Sequence, residues 1–314
     1  MSPRSVTRVL LLLVLILPAT AALAQQTSYP LSVTDDSGIN LVLRARPQRI
    51  VSLTLCTDEI LLSLVPQGRL IGVTTYAADP AVSNVAAQAA AIPNKLDLNV
   101  EAIVALNPDL VLVASWTDAG PVQQLRDAGV PVYLFASPVS VKEVGQKILR
   151  LGLLTGEQAK AREIVDGMNA RITAVVQRVS MVPADKRLTV LDYTPWGASQ
   201  GVGSSWDDVI RLAGLRNGAA SVTSDVLGQV PMSQEGILQI NPDLLVLPGW
   251  IYNDPSGPSA FYKQVVDNPA LQVVSAVKNK RVVAMQENLR SSISQYIAAS
   301  VEWIAKTAYP QLFP

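Results

Sequence analysis

Glu101-Ala-Ile-Val-Ala-Leu-Asn-Pro-Asp-Leu-Val-Leu-Val-Ala-Ser-Trp116 recurs 134 residues later as Glu235-Gly-Ile-Leu-Gln-Ile-Asn-Pro-Asp-Leu-Leu-Val-Leu-Pro-Gly-Trp250. The glutamate, one isoleucine, Asn-Pro-Asp-Leu and the final tryptophan keep that offset. Each copy reads as a short helix, an Asn-Pro turn and a wholly apolar strand. A strand without polar alternation is one buried on both faces of a parallel sheet. One such unit in each half of the chain predicts two similar α/β lobes. Two lobes enclose a cleft in which a ligand can sit.

Outward from these copies the alternation of strand and helix continues. Residues 25–48 read as polar strand with a turn at Asp35-Asp36-Ser37-Gly38. A short buried strand at 49–53 precedes a helix for which Thr57 is the expected N-cap, with acidic residues in the first turn, where the helix dipole favours them. Strands are predicted at 71–75, 110–113 and 132–135, and helices at 122–128 and 141–154. Residues 76–97 read as one long alanine-rich loop, a length usually functional or mobile. Residues 157–180 contain no proline and would form a helix about 36 Å long. Beyond Pro183 the alternation restarts, with strands at 188–191, 244–247 and 282–284 and helices at 206–213, 235–240 and 293–309. The order is lobe, long helix, lobe.

Arg4 and Arg8, the apolar run 9–17 and Ala22-Leu23-Ala24 have the pattern of a secretory signal cleaved after Ala24. No later stretch reaches about 18 unbroken apolar residues, so an exported chain without a membrane span is expected. A lipid anchor would require a cysteine just after the signal, and the single cysteine is Cys56. Without Arg4 and Arg8, 23 basic residues face 25 acidic ones, which gives no reason to expect nucleic acid or an anionic membrane as partner. The chain has no histidine. That argues against an imidazole-rich zinc or manganese site and excludes a nucleophile–histidine dyad.

Tyr29-Pro-Leu-Ser-Val-Thr-Asp-Asp-Ser-Gly38, Arg46-Pro-Gln-Arg-Ile-Val-Ser-Leu53, Asn99-Val-Glu-Ala-Ile-Val-Ala-Leu-Asn-Pro-Asp-Leu-Val-Leu112 and Asn268-Pro-Ala-Leu271 with Val277-Lys-Asn-Lys-Arg-Val282 follow in order over nearly the whole mature chain. Together they resemble the periplasmic solute-binding proteins that feed iron–siderophore, haem and cobalamin ABC importers. The resemblance implies an α/β fold: two Rossmann-like lobes with mainly parallel sheets, joined by one long α-helix, with the ligand cleft between them. The implied divisions are a signal at 1–24, an N-terminal lobe at 25–154, a connecting helix at 155–182 and a C-terminal lobe at 183–314. Such proteins close only slightly on their ligand. The implied product is a periplasmic monomer without catalysis or a cofactor of its own.

Glu101 and Glu235 stand in the first turns of helices behind Asn99 and Ser233 as N-caps, a position the helix dipole favours. The resemblance gives both a second role, docking onto arginines of the two halves of a membrane permease. Trp116, Trp196 and Trp250 follow apolar strands, and Tyr76 follows Thr75; α/β folds place ligands at such strand ends. These flat side chains, with Tyr252, are expected to grip a large, partly apolar face. Cys56 and Thr57 are the expected wall residues after the first strand, Cys56 also reading as a small buried residue. In the alignment implied by the resemblance, Lys95 occupies the place of an arginine in a hydroxamate-siderophore binder and of a tryptophan in a cobalamin binder. Gln229 likewise replaces a cobalamin-binder tryptophan. Lys95 and Arg290 are the expected cations for an anionic iron chelate. The leading expectation is therefore a ferric siderophore, with cobalamin or another corrinoid as the alternative. Haem, ligated by Tyr76 or Tyr252, is a further alternative. An exported α/β enzyme is the alternative from another class, although no close acid pair stands at a strand end.

Overall fold

The computed structural model describes residues 27–225 and 228–314. The expected signal segment 1–24 and its cleavage site lie outside the described residues. The described chain opens with an antiparallel hairpin of β1 (Leu31–Thr34) and β2 (Asn40–Leu43). The first lobe holds β3 (Ile50–Ser52), β4 (Leu70–Thr74), β5 (Asn94–Leu96), β6 (Leu110–Ala114) and β7 (Val132–Phe135). They form one parallel sheet in the order β5-β4-β3-β6-β7. Between these strands run α1 (Leu55–Leu64), α2 (Ala86–Ala90), α3 (Val100–Ala105) and α4 (Ala119–Asp127).

Two antiparallel-running helices, α5 (Val141–Thr155) and α6 (Gln158–Val179), then carry the chain across. The second lobe contains β8 (Thr189–Asp192), β9 (Ala198–Gln200), β10 (Arg216–Asn217), β11 (Gln229–Pro231), β12 (Leu244–Pro248) and β13 (Val282–Met285). Its parallel sheet has the order β10-β8-β12-β13, while β9 and β11 pair as a separate hairpin. The helices here are α7 (Ser205–Leu212), α8 (Gln234–Ile240), α9 (Gly257–Val266), α10 (Ser275–Lys278), α11 (Glu287–Arg290) and α12 (Ile297–Ala308). All residues of β6, β7 and β12 are buried, as their unbroken apolar runs predict.

The Asn-Pro-Asp repeat has a structural cause in each lobe. Asn107 and Asn241 take left-handed backbones, φ 47° and 46°, a region asparagine tolerates better than most residues. The prolines that follow cannot continue a helix. Asp109 then accepts the Gln48 and Arg49 backbone N–H groups at 2.7 and 2.8 Å, and Asp243 accepts that of Thr189 at 2.8 Å. Each carboxylate thus satisfies the open start of the strand beside its own.

α6 spans 22 residues, about 33 Å. Its Met168, Ile172, Val175 and Val179 join a core cluster that draws on both lobes. Two expectations need correction. The helix after β3 begins at Leu55, and its cap is Thr54, whose Oγ1 accepts from Thr57 N at 3.1 Å. Thr57 lies inside the first turn with its hydroxyl 2.6 Å from that of Ser52 and 2.8 Å from that of Thr54. Residues 76–97 contain α2 and β5 and are no continuous loop; alanine favours helix wherever it can pack.

Asp58, on α1, is fully buried. Its Oδ2 accepts from Thr74 N at 3.1 Å and Thr74 Oγ1 at 2.5 Å, while Oδ1 has no partner. Burial pushes its pKa up to about 7, against hydrogen bonds that pull it down.

Two stability measurements follow from these carboxylates. Asp109→Ala leaves two strand-start amides unpaired and should cost about 1–3 kcal/mol in urea unfolding, more than Asp243→Ala, which leaves one. No loss in either variant would strip the repeated aspartate of its structural role. For Asp58 the folded pKa exceeds the unfolded value of 3.8, so the fold binds the proton more tightly. Stability is then greatest below that unfolded value and declines as pH rises toward 7, by on the order of 2–4 kcal/mol. Asp58→Asn should flatten most of that decline between pH 4.5 and 7.5. Parallel pH profiles for parent and variant would contradict the assignment.

Candidate functional site

The carboxyl ends of the strands carry the exposed aromatic residues. Trp116 follows β6 and is 77% exposed, Trp196 follows β8 at 65%, and Tyr252 follows β12 at 62%. Tyr76, after β4, is 42% exposed. Trp250 is half-buried and meets Tyr252 edge-on, ring centroids 6.1 Å apart. Tyr76 of the first lobe faces Tyr252 of the second. Burial and the adjacent Tyr252 hydroxyl hold the Tyr76 phenol above its ordinary pKa. An aromatic rim therefore joins the two lobes.

Below this rim lies the cleft floor. A cavity of ≈ 160 Å³ is lined by Thr54, Leu55, Cys56, Glu59 and Trp116 from the first lobe and by Asn288, Ser291, Ser292 and Ile293 from the second. A neighbouring cavity of ≈ 200 Å³ shares Ser291 and Ile293 and adds Asp192, Gln200 and Arg290. Larger hollows elsewhere, up to ≈ 730 Å³, have no aromatic lining.

Hydrogen bonds stitch the lobes together along the floor. Asn84 Nδ2 donates to Asn288 O at 2.7 Å, and Gln295 Nε2 donates to Glu59 O at 2.9 Å and Ser63 Oγ at 3.0 Å. The Glu59 carboxylate accepts both the backbone and side-chain N–H of Asn84, at 2.8 and 2.9 Å, and the Ser294 hydroxyl. Burial raises the Glu59 pKa in spite of these donors.

The expected site residues divide accordingly. Trp116 and Cys56 line the floor cavity, the Cys56 thiol donating to Ile293 O at 3.2 Å. Thr57 does not reach the cleft; it is fully buried inside the first lobe, its hydroxyl engaged by Ser52 and Thr54. Arg290 lines the second cavity but is no free cation. Its guanidinium grips Asp192 through two 2.9 Å hydrogen bonds and pairs with Glu287 at 3.1 Å. Burial opposes its charge, yet the two carboxylates hold its pKa above the ordinary value. Lys95 is half-buried on β5 and its ammonium donates to Ile92 O. Glu101 and Glu235 stand exposed in the first turns of α3 and α8, capped by Asn99 and Ser233. The Glu235 carboxylate is held below its ordinary pKa by backbone N–H and by the Ser233 hydroxyl.

Sequence reasoning missed Glu59, Asn84, Asp192 and the run Ser291-Ser292-Ile293-Ser294. Glu59 read as a first-turn helix acid. Ser291 and Ser292 read as loop and Ile293 and Ser294 as the start of the last helix, which begins only at Ile297. The run's density of hydroxyls ahead of an apolar helix was the available signal.

Residues 50–289 match the family described as "Periplasmic binding protein". The uncharacterized ABC transporter substrate-binding lipoprotein YvrC of Bacillus subtilis is 26% identical over 291 residues, 91% of this chain and 87% of that one. A cobalamin-binding protein of Halobacterium salinarum is 29% identical over 70% of this chain, which spans only 58% of that relative. The solved structure of the molybdate-binding protein MolA of Haemophilus influenzae, with molybdate bound, superposes with a TM-score of 0.72 over 90% of this chain and 92% of its own, at 22% identity. With its two parallel-sheet lobes, its long helix and a match over most of its length, the chain belongs to the periplasmic binding protein family.

Proposed function

We propose that the chain is the substrate-binding protein of an ABC importer and that its cargo is a corrinoid. The carrying observation is an exposed aromatic rim above a floor that offers no free cation among the described residues. Ferric siderophores with anionic character need a cation to offset the cost of leaving water. The siderophore expectation rested on Lys95 and Arg290, and both are internally engaged, Arg290 by two carboxylates. A large ligand with an apolar, uncharged face suits Trp116, Trp196, Trp250, Tyr76 and Tyr252 better, since each aromatic ring contributes a large contact area at low entropic cost. Similarity to a cobalamin-binding relative supports the same choice.

The cargo occupies the rim. Cavities that bury a whole small-molecule ligand run to about 300–1,000 Å³. The floor cavities, ≈ 160 and ≈ 200 Å³, are too small to hold a macrocycle. We assign the docking role to Glu101 and Glu235, whose exposed carboxylates occupy equivalent places in the two lobes and suit a partner with two equivalent basic patches. No step of this capture requires a covalent change in the ligand.

Titration of protein fluorescence with cyanocobalamin should saturate at one ligand per chain with Kd below about 10 μM. Trp116→Ala should weaken it by about tenfold or more, as expected for a rim anchor. Tighter binding of ferrichrome or haemin than of cyanocobalamin would overturn the corrinoid choice in favour of that ligand. For docking, Glu101→Gln and Glu235→Gln should leave cyanocobalamin affinity unchanged and lower transporter-dependent uptake, with the double variant losing it. Undiminished uptake by the double variant would remove both glutamates from the docking role.

A further inference from the structure

The segment 288–295, running from α11 toward α12, is tied to both lobes at once. On the second-lobe side the Arg290 guanidinium grips Asp192 of β8 through its two 2.9 Å hydrogen bonds. On the first-lobe side Asn288 O accepts from Asn84 Nδ2, and Gln295 Nε2 reaches Glu59 O and Ser63 Oγ. Glu59 is the hub of these ties. Its Oε1 holds the backbone and side-chain N–H groups of Asn84, a residue of its own lobe. Its Oε2 accepts from the fully buried Ser294 of the other lobe. A rod such as α6 fixes how far apart two lobes sit but leaves rotation about its own axis. A second tie across the floor removes that rotation.

The same segment carries an opposing element. Ser292 Oγ and Gln295 Oε1 are closed off from solvent and have no hydrogen-bond partner. They are two of the five such side-chain atoms among the described residues, and both fall within this one stretch. A buried polar atom without a partner costs free energy that contact with water returns. Parting the segment from α1 would break the bonds of Glu59, Asn84 and Gln295 Nε2, and would wet the Ser292 hydroxyl and the Gln295 carbonyl. One set of atoms therefore holds the seam shut while another favours its opening. Opposed contributions of this kind make a short segment a two-state element.

We propose that the segment 288–295 is an interlobe latch, in which Glu59 holds the angle between the lobes and the unpartnered oxygens of Ser292 and Gln295 favour release. Glu59 and Ser292 are then positioning residues of opposite sign. They act on a ligand at the rim through the angle of the cleft and not by touching it. The inference concerns the chain with or without a ligand, so it stands apart from the choice of cargo.

The test measures the distance between nitroxide labels attached through Gln124→Cys on α4 and Gln264→Cys on α9, exposed positions on opposite lobes of the full chain. Glu59→Ala should broaden the distance distribution of the labelled parent and add a longer population. Glu59→Gln should restore the parent's distribution, because the amide oxygen can hold Asn84 while its NH₂ donates to Ser294. Ser292→Ala deletes a hydroxyl that has no partner, so it should slow release of cyanocobalamin by about fivefold or more. A merely structural role for Glu59 would lower the melting temperature of Glu59→Ala and leave the distances alone. Should Glu59→Ala not fold, Asn84→Ala, which removes the side-chain donor shared by Glu59 and Asn288 O, must broaden the distribution instead. Parent-like distances in the folded variant would overturn the latch, as would parent-like release from Ser292→Ala. Failure of cyanocobalamin to bind would overturn the cargo reading alone, with the distances still deciding the latch.

Discussion

The α6 rod, from Gln158 to Val179, is the constraint on which the rest of the molecule depends. Its first turn is anchored by a clamp that the two preceding segments build together. Arg69, buried, donates to Pro47 O and Thr155 O and pairs with Glu157 at 2.6 Å; Arg46 also pairs with Glu157 and donates to Thr155 O. Cations at the last carbonyls of α5 are electrostatically favoured, so the corner between α5 and α6 is a fixed angle. Gly152 lets the helices approach closely, since a Cβ there would come within 2.4 Å of Ala161 Cβ. At mid-length Arg171 forks onto Glu302 of α12 at 2.8 and 2.9 Å. A rod held at its corner and along its side sets the distance between the sheets, and with it the width of the cleft.

That width gives the strand ends their meaning. Had the lobes been joined by crossing strands, Tyr76 and Tyr252 would have no reason to stay within reach of each other. With the rod in place the segment between β13 and α12 falls across the first lobe's α1, and the floor bonds from Asn288, Ser294 and Gln295 follow. Both lobes line the floor, and its serine-rich segment belongs by sequence to the second lobe and by contact to both. The charge of its Arg290 is met within the second lobe by Asp192 and Glu287.

Much of the fold could be read from the chain because it is encoded locally. The apolar runs of β6 and β12 mark double-sided burial, and Asn99 and Ser233 announce the helices they cap. The aromatic rim was legible for the same reason, since a strand end is a position in sequence as well as in space. Electrostatic partnership is not local. Asp192 lies 98 residues from Arg290 and Ser294 lies 235 from Glu59, so no pattern along the chain tells a free cation from a neutralised one. Thr54 and Thr57 differ by three positions and offer the same capping chemistry; the hydroxyl of Ser52 and the packing of α1 against β4 decide between them.

Cys56 has a consequence for how the chain meets oxidants. An unpaired thiol invites mixed disulfides and sulfenic acid, both of which begin with the thiolate. Burial, together with the fields of Glu59 and Asp58, drives the Cys56 pKa well above its ordinary value. Its proton is occupied by Ile293 O. Burial in the wall between the lobes therefore keeps its sulfur in the unreactive form, and the chain carries a lone cysteine without needing a second one to protect it.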